Sequence, residues 1–580
     1  MTNPFVAYLN RYTTASPEHE AAFDEFTSNS RVDGIEPLSL DTEVGRKLFE
    51  LFDQDHPPAV ILTGNAGDGK TYLCRKIIEK FTGQKFAGWD RDAVKQDFYR
   101  QGHPLRVIKD LSEMGIESSG VVLKGLHRRL LGMPSMPFLI AANEGRLRAQ
   151  LASLGLPELQ AEVDRQLQEG PDPSKPVLVI DLNRIPTSSY IPQVLSWMTD
   201  PDRWEACGGC AAKGDCPILH NARKLQQPRI QQRVLRLYEV LEHLEHHITV
   251  RDQLVHMAFT VTGGLSCQKV RAQRGKPSEW RSVARQYAYY NNLWGEAATE
   301  TFRKKATALK LMNRLDVAGQ SVFQVDHFII SDHQASEQPE YRQVFEPAID
   351  LGHTLFQQER ASYLLGDQLE QAVDFVKNWL PFCRRKVFFE WHDEDAVLGL
   401  LPFQHLGLYL KLLEDRKHTL KAWQVRKMVL GLNRAFSGLF VQETDHLYVT
   451  SHYGQGARTS IPIIRQKIPY EQLDLEVNAE TQNFMPARPQ MTLQITNVKL
   501  SPEPVRWKVN LLRFEYVMRR ASGGTSNVLS EECDLDIRHL KDELLTRFQT
   551  GPTGDHIEFF ELTGSGYRPQ VLRLPQEVEA

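Results

Sequence analysis

The stretch PPAVILTGNAGDGKTYLCRKIIEK, residues 57–80, decides how the first third of the chain is read. Two prolines precede four consecutive apolar residues, Ala59 to Leu62, a run that suits a strand buried on both faces of a parallel sheet. A turn carrying Gly64, Gly67 and Gly69 follows, and apolar residues then recur at helical spacing over residues 70–82.

Outward from this stretch the pattern alternates. LDTEVGRKLFELFDQ (40–54) reads as a helix capped by Asp41 or Thr42. QKFAGW (84–89) reads as a short strand and DRDAVKQDFYRQG (90–102) as a helix. LRVIKDLSE (105–113), PFLIAANEG (137–145) and PVLVIDLNR (176–184) read as strands, with helical patterns between them. Five strand signals separated by helices predict a doubly wound parallel α/β sheet over residues 41–185. Residues 1–40 are polar and read as an irregular arm. Residues 186–265 are mostly helical, and HITVRDQLVHMAFTVTGG (247–264) opens on a Thr249/Asp252 capping pattern. Residues 266–440 stay largely helical. From 441 to 580 the texture turns β-rich, in DHLYVTS (445–451), IPIIRQKI (461–468), MTLQITNV (491–498), RWKVNLLRFEYVMRR (506–520) and HIEFFELTG (556–564), with one helix in LDIRHLKDELLTRF (535–548).

A chain of 580 residues is too long for one core, so two to four domains are expected. A net charge of −4 means that any nucleic-acid contact must come from a local patch. The absence of a long apolar run or a basic-then-apolar start predicts a cytoplasmic protein without a membrane span.

Gly64-Asn65-Ala66-Gly67-Asp68-Gly69-Lys70-Thr71 satisfies the G-x-x-x-x-G-K-[ST] pattern of a P-loop, with Tyr72 next in the helix. Glycines let successive backbone N–H groups turn inward around phosphate oxygens, and the following helix presents its positive end. Lys70 reaches the β- and γ-phosphates in this reading, and the Thr71 hydroxyl ligates Mg²⁺, which makes ATP and Mg²⁺ the expected cofactors. Two strands end in an aspartate, Asp110 and Asp181, either of which suits a metal-holding acid or a strand-end cap. Arg251, in the first turn of its helix, is poorly placed for the helix dipole and needs another motive.

The order of these features resembles the AAA+ and related P-loop ATPase core. That resemblance implies Asp110 as the Mg²⁺ acid on the third strand and Asn143 as the polar sensor on the fourth. It offers Glu113 or Glu144 for orienting water and Arg251 as a lid arginine on the γ-phosphate. Arg184, past the fifth strand, would be a finger acting across a ring if the chain forms homo-oligomers. No glutamate directly follows Asp110, a departure from the usual pattern.

Of seven cysteines, three crowd into CGGCAAKGDCPILH, giving Cys207-x2-Cys210-x5-Cys216-x3-His220. Three thiolates and one imidazole at this spacing can close a tetrahedral structural Zn²⁺ site in the helical lid, with Cys267 the alternative fourth ligand. An iron–sulfur cluster is the other metal reading. KVRAQRGKPSEWRSVARQYAYYNNLW (269–294) carries Lys269, Arg271, Arg274, Lys276, Arg281 and Arg285 among Trp280, Tyr287, Tyr289, Tyr290 and Trp294. It reads as a core-facing aromatic helix with a solvated basic face or, less readily, as a DNA contact.

The run LTGNAGDGKT, VIKDLSE, LIAANEGRL, VLVIDLNR, CGGC…CPILHNARKL, HITVRDQL and MVLGLNRAFSGL together resembles the P-loop ATPase subunit of bacterial DNA-phosphorothioation-dependent restriction, the DptF type. The resemblance spans about residues 55–440. It implies an ATPase acting with other subunits of an antiviral defence or restriction complex on foreign DNA, and does not imply a nuclease of its own. A nucleotide-gated scaffold and a nucleic-acid-binding adaptor are the alternative functions.

Overall fold

A computed structural model describes residues 2–13, 34–54, 56–86, 88–89, 93–273, 280, 283–330, 339–345, 353–366, 375–414, 422–453, 461–478, 489–497, 500–524, 530–548, 556–564 and 566–573. Two compact units emerge among the described residues: those within 1–242 and 246–401 form the first, and those within 243–245 and 402–580 the second.

The first unit opens with α1 (Pro4–Thr13), where the sequence suggested an irregular arm. Phe5, Tyr8, Leu9 and Tyr12 recur at helical spacing and are all buried, and Phe5 meets Trp197 and Trp204 edge-on. Next come α2 (Glu43–Phe52), β1 (Ala59–Thr63), α3 (Lys70–Thr82), β2 (Lys95–Arg100), β3 (His103–Ile108) and α4 (Ile116–Leu130). They are followed by β4 (Phe138–Ala142), α5 (Glu144–Leu154), α6 (Pro157–Glu169) and β5 (Val177–Asp181). Thr42 caps α2 by accepting from the Gly45 amide, which settles the choice between Asp41 and Thr42.

The five strands lie in the order β2-β3-β4-β1-β5, with β3, β4, β1 and β5 parallel and β2 antiparallel. Two-residue alternation sends Val60 and Leu62 into one core with α2 and α3, and Ala59 and Ile61 into another with α4, α5 and α6. That double coverage is why β1 reads as an unbroken apolar run. The second strand differs from expectation. Residues 84–86 and 88–89 form no strand, and 95–100 pair with β3 instead of forming a helix. Arg100 faces His103 across Gln101-Gly102, both at positive φ, so a two-residue turn of the hairpin-favouring kind overrides the helical spacing.

Helices continue with α7 (Ile191–Thr199), α8 (Pro217–Leu225), α9 (Val250–Thr262) and α10 (Cys267–Ala272). No helix among the described residues is long and apolar enough to cross a membrane.

The second unit contains α11 (Leu406–Glu414), α12 (Ala422–Ser437), β6 (His446–Tyr453), β7 (Ile461–Pro469), β8 (Leu473–Asn478), β9 (Gln490–Asn497) and β10 (Ser501–Lys508). It ends with α13 (Leu511–Ala521), α14 (Ser530–Arg547), β11 (His556–Thr563) and β12 (Gly566–Arg573). Antiparallel sheets run β10-β9-β8 and β12-β11-β7-β6. The units divide at Leu401, earlier than the change of texture at 440, because α12 packs on α13 and β6 and so belongs with the strands. Residues 511–520, expected as strand, form α13. Asn510 accepts from the Arg513 amide as its cap, and Leu511, Phe514, Val517, Met518 and Ala521 fill one buried face.

Candidate functional site

The glycine turn leaves the carboxyl end of β1, beside β4 on one side and β5 on the other. Connections from β1 and β4 leave toward opposite faces of the sheet, so the turn sits at a topological switch point, where open α/β sheets place their ligands. Gly69 is the left-handed cap of α3 at φ 87°. Gly67, at φ 102°, lies against the start of α9. A β-carbon there would stand 2.9 Å from Thr249 Oγ1 and 3.0 Å from Arg251 Cβ.

Lys70 Nζ donates to the carbonyls of Gly64 and Asn65, each at 2.8 Å, so the ammonium folds back over the loop. Burial lowers its pKa, Asp68 and Asp110 pull it back up, and Arg251 adds to the lowering. Asp68, with its side chain 1% exposed, accepts from the Asn65 amide at 2.6 Å through Oδ2 and pairs with His247 Nε2 at 2.7 Å through Oδ1. The Asn65 amide also donates to Asn183 Oδ1 at 3.2 Å. Ala66 is exposed at the tip, and Thr71 is half-buried in the first turn of α3. The Tyr72 hydroxyl is engaged with the Leu40 backbone, accepting from its amide at 2.8 Å and donating to its carbonyl at 3.1 Å.

α9 closes one side. Thr249 accepts from the Asp252 amide as the helix cap that the sequence suggested, and its hydroxyl donates to the Asp252 carboxylate. The Arg251 amide donates to the Gly67 carbonyl at 3.2 Å, and burial depresses the guanidinium pKa against Asp252 and Asp68. Asp110 sits two residues beyond β3 and accepts from the Ser112 amide at 2.7 Å, which caps a short 3-10 turn. Asp181 accepts from Thr63 Oγ1 at 3.4 Å and from the Asn183 amide at 3.1 Å.

Ala142 pairs with Thr63 in the sheet, so Asn143 follows at the carboxyl edge from which the glycine turn leaves. Asn143 caps α5 by accepting from the Arg146 amide at 3.3 Å, Glu144 pairs with Arg148 at 3.3 Å, and Glu113 is exposed. Arg184 donates to the Gln168 carbonyl at 3.1 Å. Sequence reasoning missed His247 and Asn183. A carboxylate as deeply buried as Asp68 requires a partner, but that burial is set by the fold and is not marked in the sequence around residue 68.

A cavity of about 770 Å³ opens at the opposite, amino end of the sheet, lined by His56, Pro58, Arg129 and Pro176 among others. The Arg129 guanidinium is committed there to the carbonyls of Pro57, Ser135 and Pro176. Neither its location nor its spent cation suits phosphate, and the glycine turn remains the better site.

His256, one turn past Arg251 on α9, is fully buried between Tyr238 and Leu293. Its Nε2 donates to the Leu293 carbonyl at 2.9 Å, so Nδ1 is the acceptor for the Tyr238 hydroxyl at 2.7 Å. Burial lowers its pKa to about 4, against a smaller rise from the Leu293 carbonyl. A depressed folded-state value means that stability is complete above the unfolded pKa of about 6.5 and is lost as pH falls toward 4. At pH 5 the expected loss from this group is about 2 kcal/mol. Urea unfolding of the wild type and His256→Gln at pH 7.5 and pH 5 checks it: the wild type's advantage should shrink at the lower pH.

Cys207, Cys210, Cys216 and Cys267 line one small cavity, together with Asn3 and Arg271, and His220 is not on its lining. All seven cysteines are free thiols. Burial pushes Cys207 up and Cys216 up to about 11, while the Ala212 amide, aided by Arg271, holds Cys210 low. Among the described residues, no group of three or more His, Cys, Asp or Glu side chains stands ready to hold a metal ion.

In the basic stretch, Trp280, Tyr289, Tyr290 and Trp294 are buried, Tyr287 stacks on Trp280, and Arg285 lies 4.3 Å over Trp379. Four of these rings therefore belong to the core. Arg274, Lys276 and Arg281 lie outside the described residues. No family model, curated protein or solved structure matches the chain, so the reading of the site rests on its own geometry.

Proposed function

We propose that this chain is a Mg²⁺-dependent ATPase whose nucleotide sits in the glycine turn after β1. The observation that carries the reading is the glycine turn at the carboxyl end of a parallel sheet, with Lys70 folded over its carbonyls, Asp68 buried within it and the Arg251 amide bonded to Gly67. In this reading Lys70 exchanges two loop carbonyls for phosphate oxygens, and the loop amides with the start of α3 receive the remaining charge. Mg²⁺, held by Thr71 and Asp110, would neutralise charge on the β- and γ-phosphates. Arg251, fixed by its own backbone to Gly67, would follow any movement of the loop.

Asp110→Asn tests the metal role, because the amide oxygen can still accept from Ser112 and keep the cap. The expected result is a fall of about 100-fold in kcat, equivalent to about 2.7 kcal/mol, with ATP affinity nearly unchanged. Unchanged phosphate release would remove Asp110 from the reaction. Glu113→Gln and Glu144→Gln, measured alongside, assign the water-orienting group.

A second reading, a nucleotide-gated scaffold with little turnover, has one observation in its favour: no glutamate directly follows Asp110. Equal cellular function of hydrolysis-dead and wild-type protein, with loss only in Lys70→Ala, would select it. Membership of a DNA-restriction complex rests on the resemblance of the motif run alone.

A further inference from the structure

The cysteines that converge in space are not the set that sequence spacing favours. Cys207 ends a short 3-10 turn, and the Cys210 amide donates back to the Cys207 carbonyl at 3.1 Å, the tight reversal expected of a Cys-x2-Cys knuckle. Cys216 lies at the entrance to α8, and Cys267 arrives from far along the chain as the first residue of α10. Their shared cavity is about 20 Å³, enough for one water-sized or ion-sized occupant. A donor is already aimed at the sulfur cluster: Asn3 Nδ2 lies 3.3 Å from Cys207 Sγ while also donating to the Arg203 carbonyl at 3.0 Å. Asn3 is itself buried, held by the Phe5 amide at 2.9 Å. Hydrogen bonds of this kind to ligand sulfurs orient a thiolate site and tune it.

We infer that Cys207, Cys210, Cys216 and Cys267 together bind one structural Zn²⁺ ion, and that His220 is not a ligand. Four thiolates match the closed tetrahedral set of a structural site and leave no open position for chemistry. The four side chains already line one cavity, and binding would draw their sulfurs together from there. Each ligating thiol gives up its proton on binding, so the site is a folding element as well as a ligand site. It would pin the amino-terminal segment, the 204–210 turn, the start of α8 and the chain just beyond α9. Arg251 stands at the other end of α9, so the ion would fix the far end of the helix that flanks the glycine turn. The inference does not depend on the ATPase reading.

Metal analysis of the full chain, purified without added metal and passed briefly over a chelator, tests it. One equivalent of zinc is expected in the wild type and in His220→Ala, and almost none in Cys267→Ser or Cys210→Ser. Should those serine variants fail to fold, titration of the wild type with an organomercurial keeps the test open. Zinc release should then be complete only after about four thiols have reacted. Retention of zinc in Cys267→Ser with loss in His220→Ala would overturn the ligand set. A wild type without zinc, or a brown protein carrying iron and sulfide, would overturn the site.

Discussion

Replacing Lys70 by alanine is expected to weaken ATP·Mg²⁺ binding by about two orders of magnitude, equivalent to about 2.7 kcal/mol. The size follows from the charge. A hydrogen bond to an ionised group contributes about 1.5–3 kcal/mol, and Lys70 is placed to make two. Much of its desolvation is already present in the free protein, where burial lowers its pKa while two loop carbonyls hold it. Moving from neutral carbonyls to phosphate oxygens therefore adds favourable charge interaction with little new burial. The variant should stay folded, because Asp68, His247 and the Arg251 amide still hold the loop. Fluorescent-nucleotide titration together with thermal denaturation separates the two effects. A fall in affinity matched by a collapse of the fold would count against a direct phosphate role.

In the second unit, Gly431→Ala is expected to destabilise the β-rich unit by about 3 kcal/mol. A β-carbon at Gly431 of α12 would stand 2.1 Å from the Val517 carbonyl oxygen and 2.8 Å from Val517 Cγ1. The nearest obstacle is backbone of α13, which cannot rotate away, so the helices must separate. Separation would also strain the bonds from Arg434 Nη1 to the Arg520 and Ala521 carbonyls at 3.0 and 2.9 Å, which cap the end of α13. Asn433 adds a second tie, accepting from the Tyr448 amide at 2.8 Å and donating to the His446 carbonyl at 2.8 Å. Gly407→Ala is the control. It lies in α11 with nothing within 4 Å of the added carbon, and should raise stability by about 0.4–1 kcal/mol. Urea unfolding followed by tryptophan fluorescence distinguishes them. Equal midpoints for the two variants would contradict the close helix approach.

That contrast bears on what the sequence carries. MVLGLNRAFSGL (428–439) contributed to a functional resemblance, yet Gly431, Asn433, Arg434 and Ser437 within it have packing and capping duties. β1, β4 and β5 were legible because strands covered on both faces cannot afford polar residues, and their apolar runs announce it. β2 was not, because KQDFYR lies at the sheet edge and is held by a backbone turn at Gln101-Gly102 rather than by an apolar pattern. α13 was missed where a β-like start at Arg506-Trp507-Lys508 runs directly into the Asn510 cap.

Within the site, contiguous spacing exposed residues 64–71. His247 meets Asp68 from 179 positions away, so that partnership leaves no local trace, whereas Cys267, already an alternative fourth ligand by residue type, joins its cavity from another helix. Arg251 was legible for a physical reason. A cation in the first turn of a helix opposes the dipole, and here that turn abuts the glycine loop.

Calorimetric titration of ATP·Mg²⁺ into the intact, folded chain tests the central claim most directly. Saturable heat at one site per chain, abolished in Lys70→Ala, is the result expected of a triphosphate held by the amides of residues 64–71. Absence of heat and of any affinity, in protein whose circular dichroism shows a folded α/β chain, would contradict it.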